Sequence, residues 1–158
     1  MEDQFKNTYS HADFWGHILV VVGSDKEGAS VAMEWGKALG KSLKPEIDGE
    51  RVSLIGLSDL RGVPFFLKKY VRGKFSQSKE DWALLDWQGL FAGSYGFVPG
   101  AVNILVFGSS GKLLHQAHFS DCDSSAVKAI VAKVHAECTS SNDSDQRPDF
   151  VSDGLALS

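Results

Sequence analysis

The sequence predicts an α/β fold with a mixed central sheet and helices on both faces, made from a β-α-β half followed by a β-hairpin and a terminal helix. Three observations predict it. HILVVV (17–22) and RVSLIGL (51–57) are short, β-branched apolar runs without alternation, as in strands covered on both faces. Between them lies an amphipathic stretch, so the three segments form a β-α-β unit, which demands a parallel pair with a right-handed crossover. AVNILVF (101–107) and KLLHQAHF (112–119), joined by GSSG, form a β-hairpin and therefore an antiparallel pair.

The elements follow in order. From Ala29 to Leu43, Val31, Ala32, Trp35, Ala38, Leu39 and Leu43 recur at three- and four-residue steps, which predicts a helix that Pro45 and Gly49 close. Pro64 suits the first turn of a helix over FFLKKYVRGKF, because its missing N–H has no partner there anyway. Phe66, Leu67, Tyr70 and Val71 fall on one face of it, Lys68, Lys69 and Arg72 mainly on the other, and Gly73 ends it. WALLDW (82–87) reads as a strand and QGLFAGSYG (88–96) as one or two helical turns. Ser120 or Asp121 is the expected cap of a helix through Glu137, with Ala126, Val127, Ile130, Val131 and Val134 toward a core. The expected organisation is an N-terminal extension (1–16), one domain (17–138) and an acidic, disordered tail (139–158).

Composition bounds the function. A chain of 158 residues, 43% hydrophobic, is long enough to bury a core without disulfides or metals. Its net charge of −4 argues against nucleic acid as a partner. No apolar run approaches the ~20 residues that span a bilayer, and the acidic start, MEDQF, is unlike a secretory signal. A cytoplasmic protein with no membrane partner is expected. Cys122 and Cys138 would stand ~24 Å apart along a helix, so free thiols are expected.

YGFVPGAVNILVFGSSGKLL (95–114), preceded by LLDWQGLFAGSYG, resembles the thioredoxin-like superfamily, in particular its peroxiredoxin-related branch. In that group a Tyr-Gly, a proline-bearing loop, an apolar strand, a turn ending in Gly-Lys and another strand follow in this order. The resemblance covers roughly residues 15–137. It implies a reactive cysteine where the first strand hands over to the first helix, whose N-terminus favours thiolate. Here that place holds Lys26-Glu27-Gly28-Ala29, without a thiol. The resemblance also implies that Val98 and Pro99 correspond to the residue and cis-proline that face the active site, although Gly100-Ala101 separates Pro99 from the strand. Both proline isomers stay open.

Rival sites are weaker. Cys122 lies near a helix start, but Asp121 and Asp123 flank it and disfavour thiolate. Gly23, Gly28 and Ser30 imitate a phosphate-binding loop, with Ala29 where the lysine must be and Asp59 as the nearest candidate for a magnesium carboxylate. Simple anion binding by Ser24, Lys26 and Ser30 is a further reading of the loop. His115 and His118 point to opposite faces of a strand, and His11, His17 and His135 have no chelating spacing, so no metal is implied. From Arg61 to Lys79 the chain carries Lys68, Lys69, Arg72 and Lys74 with no acidic residue. That run is either a solvated face or a site for an acidic partner, an anionic ligand or the tail residues Asp143, Asp145, Asp149 and Asp153.

The reading is a thioredoxin-like binding or regulatory module without the redox cysteines, needing no cofactor and recognising a protein or peptide. Two alternatives accompany it: a thiol-dependent peroxidase or oxidoreductase using Cys122, and an anion or nucleotide binder at the Gly23 to Ser30 loop.

Overall fold

The computed structural model describes residues 1–78 and 81–145, and side chains as far as residue 140. Six strands form one mixed sheet: β1 (Glu2–Asp3), β2 (Ile18–Ser24), β3 (Val52–Asp59), β4 (Ala83–Asp86), β5 (Val102–Phe107) and β6 (Leu113–Phe119), in the spatial order β1-β4-β3-β2-β5-β6. β2 and β4 flank β3 in parallel; β2–β5, β5–β6 and β1–β4 are antiparallel. The expected mixture of a parallel half and a hairpin half is present.

Side-chain alternation sorts the central strands onto two faces. Ile18, Val20 and Val22 of β2 and Val102, Ile104 and Val106 of β5 pack with α1 (Ala29–Ser42), α2 (Lys44–Asp48) and α5 (Ser124–Asp145). Trp35 of α1 is fully buried there; its indole N–H donates to the Asp121 carbonyl at 2.9 Å and its ring stacks on Phe119 at 4.7 Å. Truncating such a tryptophan to alanine costs about 3–5 kcal/mol. The opposite face carries Val21, Ile55, Leu57, Leu84, Leu105 and Phe107. Over it lie the short α4 (Leu90–Ser94) and the N-terminal residues Tyr9 and Phe14.

Several expectations shift. Residues 1–16, read as an extension, supply strand β1, whose Glu2 and Asp3 pair with Leu85 and Leu84 of β4; Asp3 accepts N–H bonds from Phe5 and Asn7, which turns the chain so that Thr8 bridges back to Glu2. The cap of α5 is Asp123, whose carboxylate accepts the Ala126 N–H at 3.3 Å and whose carbonyl takes the first helical bond from Val127. That helix continues to Asp145, beyond the expected end at Glu137. The helix after Pro64 is split into a 3-10 turn (Phe65–Leu67) and α3 (Lys68–Arg72). Its apolar residues do not face a core: Phe65 is 83% exposed, Phe66 71% and Tyr70 64%. What seats this segment is the other side, where the Lys68 and Arg72 cations lie 5.2 and 5.5 Å from the centre of the Trp87 ring.

Candidate functional site

The place implied for a redox thiol is the junction of β2 with α1, where residues 26–29 carry no thiol and a carboxylate lies one residue before them. Asp25, just past β2, accepts the N–H of Gly28 on one oxygen at 3.0 Å and the N–H of Gly100 on the other at 2.9 Å. The first bond closes a side-chain turn at the start of α1; an acidic group is favoured there by the helix dipole. The second ties that turn to the loop before β5. The Ala29 N–H donates to the Lys26 carbonyl, so the amides of Gly28 and Ala29 already have acceptors within the chain.

Glycine permits the close approach of the two loops. A Cβ on Gly28 would stand 2.7 Å from the carbonyl oxygen of Ala101, and one on Gly23 would stand 2.3 Å from the Phe97 ring. Opposite Gly23 in the sheet register is Asn103, a buried side chain. Its amide oxygen accepts the Val98 N–H at 2.9 Å, and its amide nitrogen donates to the carbonyls of Val98 and Ala101, both at 3.3 Å. Asn103 thus holds the proline loop from beneath, and Asp25 holds it from the side.

The expected residues are placed as follows. Ser24 is buried under Gly28, whereas Lys26 and Ser30 are exposed, so the three do not converge on one cradle. Val98 and Pro99 are also exposed, and the backbone lying against Gly28 is that of Ala101, two residues further on. The described residues contain no cis peptide, so Pro99 is trans. Asp59 is engaged by Arg61 at 2.7 Å. Sequence reasoning missed Asp25, Asn103 and the packing of Phe97 on Gly23. The spacing of Asp25 and Gly28 is a side-chain turn signature that was available.

Both thiols are free and lie elsewhere. Cys122 is half-buried before α5; burial and the carboxylates of Glu34, Asp121 and Asp123 push its thiol upward. Cys138 is buried on α5, and burial raises its thiol too, against the opposing charge of Arg51. No cluster of three or more metal-ligating side chains exists among the described residues. His115 is half-buried and His118 exposed on β6, as their spacing implies.

The basic residues divide. Lys68 and Arg72 turn inward over Trp87, and Arg72 also pairs with Glu2, which accepts the Trp87 N–H at 3.1 Å. Lys69 and Lys74 line a shallow surface hollow with Phe66 and Tyr70, the Lys74 cation 4.8 Å from the Tyr70 ring centre. Lys79, Asp149 and Asp153, and the side chains of Asp143 and Asp145, lie outside the described residues.

Comparison with protein-family models and with curated protein sequences returns no match. Solved structures do match. The exposed lipoprotein thioredoxin of Streptococcus pneumoniae superposes with a TM-score of 0.63 at 14% identity, over 84% of this chain and 96% of that one. The bacterioferritin comigratory protein of Xanthomonas campestris, solved in work on its alkyl peroxide reduction, gives 0.64 at 15% identity, over 86% and 88%. The thioredoxin domain of a thiol-disulfide oxidoreductase from Bacteroides vulgatus gives 0.57 at 19% identity, over 84% and 89%. The chain has a thioredoxin-like fold, and its structural neighbours include peroxiredoxins and thiol oxidoreductases. Among the described residues no helix is long and apolar enough to cross a membrane.

Proposed function

We propose that this chain is a thioredoxin-like binding or regulatory module that performs no thiol chemistry at the β2–α1 junction and acts in the cytoplasm on a protein or peptide partner. The observation that carries the reading is Asp25. Residues 26–29, where the resemblance places the thiols, carry none, and the residue just before them is a carboxylate bonded to the amides of Gly28 and Gly100. A carboxylate cannot exchange a disulfide or reduce a peroxide, and it repels a second anion from the same amides.

The surface that fits a partner is the projection from Phe65 to Lys74. It combines exposed Phe65, Phe66 and Tyr70 with the outward cations Lys69 and Lys74, and aromatic residues beside cations are what acidic protein surfaces accept. The test is co-purification from the native host with the wild type, Phe66→Ser and the charge reversal Lys69→Glu/Lys74→Glu. Retention of an acidic partner by the wild type and its loss in both variants is expected. Equal retention by all three proteins contradicts this surface. The thiol-dependent alternative is separated by turnover that requires Cys122, and the anion-binding alternative by a thermal shift of the wild type in phosphate.

A further inference from the structure

The sheet face turned away from α1 and α5 is only partly covered. Over it lie the N-terminal segment around Tyr9 and Phe14 and the five-residue α4. Between them a concavity of about 570 Å³ remains. Its floor is aliphatic, from Leu19 and Val21 of β2 and Ile55 and Leu57 of β3. One wall is Tyr9 and Phe14, stacked at 6.2 Å and backed by Trp82. The other is Phe91 with Tyr95 at 4.6 Å, and Phe107 at 5.6 Å from Tyr95.

The lining has no carboxylate, lysine or arginine side chain; its polar members, beyond the tyrosine hydroxyls, are Ser10, His11, His17, Ser110, the Trp15 indole N–H and the Met1 ammonium. His17 precedes β2, and Ser110 lies in the β5–β6 turn, which the Gly16 N–H fastens alongside through the Ser109 carbonyl at 3.0 Å. His17 and Ser110 therefore sit together at one end of a mainly apolar slot. The volume lies within the roughly 300–1,000 Å³ of small-molecule sites, which share this plan of apolar walls with a few orienting polar groups. Facing aromatic walls favour a flat ring between them. The lining holds no carboxylate side chain to meet a cation, and its Met1 ammonium is already bonded to the Tyr9 carbonyl at 2.9 Å, so a neutral ligand loses the least hydration there.

We propose that this concavity is a binding site for a neutral, planar aromatic small molecule with one hydrogen-bonding end, its rings between the two walls and its polar end toward His17 and Ser110. The site is separate from the β2–α1 junction and from the Phe65–Lys74 projection.

The test is titration of the full chain with N-phenyl-1-naphthylamine, a neutral fluorescent aromatic amine, together with amide chemical-shift mapping. Saturable binding of one probe per chain is expected, with shifts at Leu19, Leu57 and Phe91. Leu19→Trp, which fills the floor from a half-exposed position, is expected to weaken binding roughly tenfold or more, while Phe66→Ser leaves it unchanged. Non-saturating binding, shifts centred on Phe65 to Tyr70, or loss of binding in Phe66→Ser overturns the proposal. So does tighter binding of the sulfonated analogue 1-anilinonaphthalene-8-sulfonate, which contradicts a neutral ligand. Should Leu19→Trp fail to fold, the shift map of the wild type decides.

Discussion

Asp25→Ala removes both acceptors that lock the β2–α1 turn to the loop before β5. Two hydrogen bonds to a carboxylate, each worth about 1.5–3 kcal/mol when shielded, set an upper bound of roughly 3–6 kcal/mol. Asp25 is half-buried and the bond from Gly100 is exposed, so water replaces much of what is lost. A net destabilisation of about 1–2 kcal/mol is expected. For a chain of this size each kcal/mol lowers the melting midpoint by about 2–4 °C, so thermal unfolding followed by circular dichroism should show a fall of roughly 2–8 °C. Asp25→Asn keeps one acceptor oxygen and should fall between the two. The substitution also frees the Gly28 and Gly100 amides, so phosphate should stabilise Asp25→Ala by binding its folded state while leaving the wild type unmoved. An alanine variant that melts with the wild type, or a wild type stabilised by phosphate as much as the variant, would refute the reasoning.

Other substitutions test neighbouring parts of the site. Asn103→Leu leaves the Val98 N–H and the Ala101 carbonyl without their side-chain partner, while the Val98 carbonyl keeps the Ala101 N–H, and chemical denaturation should show a loss of about 1–3 kcal/mol. Gly28→Ala drives a methyl group against the Ala101 carbonyl and should cost about 1–3 kcal/mol in the same assay, with larger side chains costing more. Burial, followed by the charge of Lys133, holds the His115 imidazole below its ordinary value. The folded state therefore binds fewer protons there than the unfolded chain. Its contribution to stability is present above about pH 6.5, the ordinary histidine value, and is lost as pH falls below it toward the folded-state pKa. His115→Gln should flatten that part of the stability profile; an unchanged slope contradicts the assignment.

What the sequence made legible follows from periodicity. β2, α1, β3 and the β5–β6 hairpin are continuous apolar runs or clear amphipathic stripes, and their pattern defines both element and partner face. β1 is two residues, Glu2 and Asp3, with no apolar signal; side-chain bonds from Asp3 and the chance to pair with β4 create it. In Phe65 to Tyr70 the stripe was visible but its destination was not, because periodicity says which side chains share a face and not what lies opposite. The thiol-free junction was legible directly from Lys26-Glu27-Gly28-Ala29. The carboxylate just before it was half legible: its bond to Gly28 is local, while its bond to Gly100 spans 75 residues and depends on the folded sheet. Asn103 is the opposite case: its bonds to Val98 and Ala101 are local, and only its place opposite Gly23 depends on the register of β2 with β5.

Hydroperoxide consumption and disulfide reduction, measured on the wild type beside Cys122→Ser and Cys138→Ser with an exogenous thiol as reductant, test the central claim most directly. Under the proposed non-redox reading, no turnover above the reductant alone is expected, identical in all three proteins. Catalytic turnover by the wild type that disappears in Cys122→Ser would contradict the account.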